Sequence, residues 1–599
     1  MSDKPVSGIY QQQITLHTAA LDKLTKRGIL FGWLRFASIV LIFTSIWLLW
    51  ANSIFLLILV PLVFLSFFLF VLSGDLGNKS AINNLQRLIA INRIEIAVLQ
   101  HRFTDLPAGD QYKPSTHEYA NDLDIFGRAS LYQYINRTNS EQGNKLLAGW
   151  LLDPAPATII LQRQEAVKEL VPDLAWRQQL QSCGKDSLIT IAVQQRVENW
   201  LEQPIQFINK KIWKALLVIL PAISFILLGI HIAGIISPAT FYPLLFLQLV
   251  ISLGISKKIM PAYVQLNKAA SQLESLSGCI GWIEQKKFNS ILLQHKNKDQ
   301  QTGNATASKK INKLKKILDL LDIRLNPLVF LPLNAFLFWD LQQVFALEKW
   351  KTGNKEDVSN WFNEVGEMEA LSSLATLSFN HPGWCFPVIT GDKAVVDGEK
   401  IGHPLIPAEK LVYNSFSTGG LSTMNIVTGS NMAGKSTFLR SIGVNLVLAM
   451  TGAPVCASAF RVSHMKVMSS MRVSDNLEES TSTFYAELKK LKEVIEAVYA
   501  GQDVFLLLDE ILRGTNSADR HTGSEALIKQ LIQHNAAGMI ATHDLALAKL
   551  ADAFPAQIHN YHFDVQVADD ELYFDYQLKR GVCTSMNASI LMKKIGIEL

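Results

Sequence analysis

The stretch MNIVTGSNMAGKSTFLRSIGVNLVLAM, Met424 to Met450, holds the pattern that decides the fold of the C-terminal part of the chain. MNIVT is an apolar run of strand length, and STFLRSIGVNLVLAM has the three-and-four spacing of one helix face. Between them Gly429, Ser430, Asn431, Met432, Ala433, Gly434, Lys435 and Ser436 match GxxxxGK[ST] at every fixed position. Glycines at the ends of such a loop let backbone N–H groups face a phosphate at the helix N-terminus, where the dipole favours an anion. Lys435 then reaches the β- and γ-phosphates and Ser436 ligates Mg²⁺, with Thr437 completing the set that contacts the nucleotide.

Two further stretches supply what a cradle alone lacks. In DVFLLLDEILRGT, the run Val504 to Leu508 reads as a buried strand that ends in adjacent carboxylates. Asp509 is placed to join the Mg²⁺ shell, and Glu510 to polarise an attacking water as general base. A lone Asp-Glu after a strand would read equally well as a solvated strand end; the cradle upstream favours the chemical reading. In GMIATHD a third strand delivers His543, by pattern either a γ-phosphate sensor or a structural histidine. The other two motifs favour the sensor, and Glu510, His543 and Lys435 form the expected catalytic set.

Outward from this region the chain changes character. Phe36 to Trp50 and Ile54 to Leu72 are apolar almost without interruption, and each approaches the ~20 residues that cross a bilayer, the first if it starts at Ile29 and Arg35 snorkels. The block is too long, starts too late and has no small-residue cleavage pattern, which argues against a signal peptide. A second pair, Ala215 to Ile236 and Phe241 to Ile255, has a shorter second member, so a buried core hairpin is its alternative reading. Lys23, Lys26 and Arg27 precede the first pair, Lys210, Lys211 and Lys214 precede the second, and Lys257 and Lys258 close it, which orients both pairs with the termini in the cytoplasm of an inner-membrane protein. Beyond Arg35 and His231 these segments hold few ionisable groups, so no polar path of a transporter is expected.

Helical spacing recurs at Asn83 to Phe103, Asn267 to Phe288 and Lys309 to Leu325, and from about Asn380 short strands alternate with helices. Across 599 residues the net charge is only +4, so no partner follows from overall charge. Five cysteines stand far apart without a CxxC pair, arguing against a zinc site or disulfide framework. A local basic cluster, Lys296, Lys298, Lys309, Lys310, Lys313, Lys315 and Lys316, could meet phosphates of DNA or of anionic lipid.

The stretches TGSNMAGKSTFLRSIGVNLVLAMTGAPVCASAF, SDNLEESTSTFYAEL, LLLDEILRGTNSADR and IATHD together resemble the ATPase domain of the MutS mismatch-repair family. LDIFGRASLYQYINRTNSEQGNKLLAGWLLDPA, from Leu123, and MEALSSLATLS, from Met368, resemble the start and return of its helical core. The resemblance implies ATP and Mg²⁺ as ligands and a dimer of ATPase domains in which Ser482 reaches the γ-phosphate held by the partner, with Asn431 and Asp475 in support. By pattern alone Ser482 and Thr483 would be an ordinary helix cap. It also implies an adenine-contacting loop around LVYNSFS, Leu411 to Ser417.

The departures shape the functional expectation. Ser480, Leu512 and Arg520 differ from the family's usual residues and bear on the tuning of hydrolysis. Before Leu123 stand a membrane hairpin and one helical segment, so the family's mismatch reader is expected to be absent, as is a further domain after the ATPase. Phe362-Asn363-Glu364 matches the reader's Phe-x-Glu string, but lies beside the ATPase and reads as coincidence. The expected fold class is an α-helical core with transmembrane hairpins plus a C-terminal α/β P-loop ATPase domain of ABC-like, MutS type. The expected order is a cytoplasmic tail (1–28), hairpin (29–73), helical linker (74–114), MutS-core-like helices (115–210), second hairpin (211–258), lever-like helices (259–380) and ATPase (381–599). Two functions are open: a membrane-anchored, dimeric MutS-like ATPase that binds DNA in connection with mismatch repair, or a membrane ATPase acting on a protein or lipid partner without DNA.

Overall fold

The computed structural model describes residues 5–51, 54–185, 187–294, 306–430, 432–471, 483–568 and 571–583. The chain is helical up to Asn380 and mixed α/β beyond it. It divides into two compact units, one of Met1–Asp105 with Ala175–Asp186, the other of Leu106–Leu174 with Ser187–Leu599.

The first unit is built on two long helices, Val6–Leu49 and Ile54–Leu99, of 44 and 46 residues. The stretch from Asn83, which by sequence looks like a separate helix, is the second half of Ile54–Leu99. At 1.5 Å per residue each helix is about 65–70 Å long, roughly twice a hydrocarbon layer of about 30 Å. The two pack antiparallel, with Asn78 donating to the Leu24 carbonyl at 2.9 Å and Gly74 meeting the Phe31 ring. Arg35, expected to snorkel, instead has its guanidinium paired with Asp75 at 3.0 Å. Beyond the apolar halves, polar side chains take over the packing, as where Asn92 and Gln178 exchange hydrogen bonds of 3.1 and 2.9 Å.

In the second unit the second apolar pair forms helices Lys211–Ile232 and Pro238–Asn267, the latter extending well past Ile255. Among the described residues four helices are long and apolar enough to cross a membrane, or up to five if the bent pair Ala307–Leu325 and Pro327–Leu337 is counted as one span. The helix Val358–Asn380 runs through the core with most of its length buried. It lies so close to Glu141–Leu152 that a Cβ on Gly366 would stand 2.8 Å from the Gly143 nitrogen. Phe362 is 1% exposed inside this packing and cannot act as a wedge into DNA.

The α/β part contains two sheets. Strands β1 (Val388–Thr390), β2 (Val396–Ile401), β3 (Asn414–Ser417) and β5 (Ala459–Ser463) form a four-stranded sheet in the order β1-β5-β2-β3. Strands β4 (Met424–Thr428), β6 (Lys466–Ser470), β7 (Val504–Asp509), β8 (Ala537–Thr542), β9 (Ile558–Ala568) and β10 (Glu571–Arg580) form a six-stranded sheet in the order β10-β9-β4-β8-β7-β6. Within this six-stranded sheet only the β9–β10 pairing is antiparallel among the described residues. Strands β4, β7 and β8 are buried at every position, which explains their near-continuous apolar runs, and each fully buried Leu or Ile contributes about 1.5–3 kcal/mol. Because these strands are parallel, their carboxyl ends meet on one edge: Thr428 lies opposite Thr542, and Asp509 opposite Ala541.

Candidate nucleotide site

The strand expected at Met424–Thr428 is β4, and the helix after the glycine loop spans Lys435–Thr451. Gly429 has φ +149 and Gly434 φ +105, backbone conformations a side chain resists. Gly429 is also crowded, since a Cβ there would lie 2.9 Å from the Phe563 carbonyl oxygen on β9. Met432, at φ +69 and 78% exposed, tops the loop, and Ala433 is buried beneath it. Asn431, Asp475, Ser480 and Ser482 lie outside the described residues, as do Lys296 and Lys298.

The Lys435 ammonium sits inside the loop, donating to the carbonyls of Gly429 and Ser430 at 3.0 Å each. It is 4% exposed, and burial pulls its pKa down against the opposing pull of Glu510 and Asp509. His543 Nε2 stands 3.2 Å from Lys435 Nζ and 2.8 Å from Glu510 Oε1. Arg513 holds the other Glu510 oxygen at 2.9 Å. The three expected catalytic residues, which come from three separate segments, are thus linked through His543.

The adjacent carboxylates differ in environment. Burial pushes the Asp509 carboxyl up, against a hydrogen bond from Ser436, while the hydrogen bond from His543 holds Glu510 down. Asp509 is 7% exposed and its Oδ1 has no hydrogen-bond partner, a polar atom left buried on the carboxyl that Ser436 also contacts. An unsatisfied carboxylate oxygen beside a hydroxyl is a donor set of the oxygen type that suits Mg²⁺. Glu510 has φ +49 and Leu512 φ +60, so the chain turns sharply after β7 and exposes the Glu510 carboxylate to the cleft. Glu487 buttresses that turn by accepting a hydrogen bond from the Leu512 amide.

A cleft of about 620 Å³ opens over the loop. Its polar floor includes Gly434, Lys435, Ser436, Thr437 and Glu510, and its apolar wall includes Ile401, Ile406, Leu411 and Val412. The segment the resemblance assigned to the base therefore lines the same cleft as the cradle. Tyr576 closes another side: its ring would lie 3.1 Å from a Cβ on Gly434. No sequence signal marks Tyr576, whose position depends on an irregularity in the β9–β10 pairing between Phe574 and Leu578. Asn414 fixes that irregularity from β3, donating to the Tyr576 carbonyl at 3.0 Å and accepting from the Leu578 amide at 2.7 Å. Arg513 was legible only as part of DEILRGT.

The family model for MutS domain V matches residues 425–595, which include the loop, both carboxylates and His543. The C-terminal domain belongs to the MutS family. Similar proteins include the DNA mismatch repair protein MutS of Natronomonas pharaonis, 29% identical over 40% of this chain and 28% of its own length. The DNA mismatch repair protein MutS of Aquifex pyrophilus is 27% identical over 54% of this chain and 38% of its own length. The mouse MutS protein homolog 4 is 31% identical over 35% of this chain and 23% of its own length. The chain thus spans about a quarter to two fifths of these MutS relatives, and the likeness is concentrated in the MutS domain that carries the cluster.

Of the basic cluster, the described lysines do not form one free patch. Lys310 pairs with Asp357 at 2.8 Å and Lys315 with Glu274 at 2.8 Å, leaving Lys309, Lys313 and Lys316 as the exposed stripe of the helix Ala307–Leu321.

Proposed function

We propose that this protein is a membrane-anchored ATPase of MutS type that binds and hydrolyses ATP as a dimer. The observation that carries the reading is the contact of Lys435, His543 and Glu510 at the mouth of the glycine loop, beside the unpartnered Asp509 oxygen. Ser436 and Asp509 fit Mg²⁺, which when bound neutralises phosphate charge. Lys435 binds the phosphates after leaving the loop carbonyls that hold it here. Glu510 accepts a proton from the water aligned beside it, and His543 and Arg513 fix the orientation of its carboxylate. The apolar wall of Leu411 and Val412, with Tyr576, offers the base a place to pack. In the dimer Ser482 would complete the partner's site.

The relatives' names connect the MutS family with DNA mismatch repair, and a repair-related role on DNA is the first reading of what the ATPase serves. A second reading, coupling to a lipid or protein partner, is favoured by the four helices of membrane-spanning length. Both place the protein in the inner membrane with the ATPase in the cytoplasm. The test is ATP turnover by the full chain in lipid nanodiscs, alone, with duplex or mismatched DNA, and with anionic lipid. Lys435→Ala should abolish ATP binding, and Glu510→Gln should bind ATP without turning it over; normal turnover in either would refute the site. Stimulation by DNA supports the first reading, and stimulation by anionic lipid with no response to DNA supports the second.

A further inference from the structure

The segment LNPLVFLPLNAFLF, Leu325 to Phe338, carries no charged residue, yet it is flanked by Arg324 and Asp340. These two side chains meet in an ion pair at 2.9 Å and are 8% and 1% exposed. Immediately beside them, Trp339 Nε1 donates to the Leu320 carbonyl at 2.8 Å. The ends of the apolar segment are therefore joined at its base, so the chain leaves and returns at the same place. Within the loop Pro327–Leu337 is helical, bent by 111° from the helix that precedes it. Eleven residues are about 16 Å of helix, about half of a hydrocarbon layer.

Polar contacts fasten this loop to the second apolar hairpin. At its base Tyr263 donates to Asp322 at 2.6 Å, Ser256 donates to Asp340, and the Arg324 guanidinium lies 4.5 Å from the centre of the Tyr263 ring. Along its inner face Asn334 donates to Ser256 at 3.4 Å, while Ser224 is within 2.9 Å of Gln248 Oε1 and 3.4 Å of the Ala335 carbonyl. Ser224, Gln248, Ser256, Asn334 and Asp340 are all buried and each makes at least one hydrogen bond, so a line of polar groups runs where the sequence shows only apolar helices. The outer face is different: Leu325 is 74% and Leu328 88% exposed, with Val329 and Leu331 also open. This face continues the exposed apolar surface of the hairpin, where Phe225 and Phe246 are likewise open.

We propose that Leu325–Phe338 is a re-entrant membrane segment, which dips into the hydrocarbon beside the second hairpin and returns to the side it entered. This rests on the membrane reading of that hairpin. Lipid acyl chains are the occupant because they match a face that is apolar apart from Asn326 at its start, continuous with the hairpin, and closed at its base by the charged pair. The loop also joins the membrane to the helix Ala307–Leu321 through a single turn, giving the hydrocarbon layer a second attachment to the lever-like region.

The test uses the unaltered full chain in nanodiscs containing a phospholipid with a photoreactive group near the end of its acyl chain, with crosslinked peptides mapped by mass spectrometry. Peptides from Leu325–Phe338 should crosslink at a yield comparable with peptides carrying Phe225 and Phe246, and several-fold above those of the helix Thr483–Tyr499. Labelled hairpin with unlabelled Leu325–Phe338 overturns the re-entrant segment and leaves the membrane reading standing. Failure of both to label removes the membrane reading and the segment with it. In a companion experiment on the Leu328→Cys full chain, a protein crosslink from that position to a second copy, without lipid labelling, also overturns the proposal by showing that another chain covers the face.

Discussion

His543 Nε2 lies 2.8 Å from Glu510 Oε1, and the same nitrogen lies 3.2 Å from Lys435 Nζ. One imidazole nitrogen cannot donate to the carboxylate and accept from the ammonium at once. The pair therefore has two exclusive hydrogen-bonded states, and drawing Lys435 away toward a phosphate leaves the nitrogen to Glu510. His543→Asn should keep ATP binding within a few-fold while lowering turnover by on the order of 10²-fold, since general-base catalysis contributes about 10²–10⁴. Equal loss of binding and turnover would reject this division of labour.

The pH dependence follows from the opposite shifts of the adjacent carboxylates. Glu510 is held below the ordinary range by His543, so it stays ionised as pH falls through the mildly acid range. Asp509 is pushed up by burial, so it takes its proton first. A raised carboxyl pKa in the folded state means that ionised Asp509 costs stability at neutral pH and that this cost is relieved as pH falls through its folded pKa. Asp509→Asn should therefore raise the melting temperature of the nucleotide-free protein at neutral pH, by about 2–4 °C for each kcal/mol relieved in a domain of this size. Mg²⁺-dependent ATP binding should be lost in the same variant. An unchanged or lowered melting temperature at neutral pH would contradict it.

Gly538 on β8 faces the β7 backbone so closely that a Cβ would stand 2.4 Å from the Leu506 carbonyl oxygen. Gly538→Ala must push apart the two strands that carry Asp509 and His543. A destabilisation of about 1–3 kcal/mol or more is expected in denaturant melts, with turnover falling alongside it.

Arg324 and Asp340 form a buried pair, so removing one partner strands the other. Either Arg324→Met or Asp340→Leu alone should cost about 3–5 kcal/mol, whereas the double replacement should recover most of that loss. Thermal unfolding in detergent reads the difference, and additive losses would show that the pair is not coupled.

The exposed stripe Lys309, Lys313 and Lys316 makes a quantitative demand on the DNA reading. If all three contact phosphates, their joint replacement by Gln should reduce the slope of log K against log salt by about 2.7. Lys315→Gln should change it little, because Glu274 already neutralises Lys315. A slope unmoved by the triple replacement would remove this helix as a DNA contact.

Much of the site was legible because its signals are local. A glycine loop between a strand and a helix, a strand ending in two carboxylates, and a strand ending in His543 are each readable within about fifteen residues. So were the apolar helices, although the join of Asn83 to the first hairpin was not: nothing in the sequence marks the point where a membrane-length helix continues as a packed one. The lysine cluster misled for the opposite reason, since proximity in sequence said nothing of Asp357 and Glu274.

By itself the sequence determined the chemistry that Lys435, Ser436, Asp509, Glu510 and His543 can perform, and the segments that shun water. Tertiary structure decided which of them touch. Parallel pairing of β4, β8 and β7 carries His543 to Lys435 across 108 residues, and an irregularity in β10, held by Asn414, sets Tyr576 at the edge of the cleft. Joining Arg324 to Asp340 turns an ordinary apolar stretch into a closed loop. These contacts depend on strand register and on bends between helices, which are settled by packing over the whole core rather than by any local run of residues.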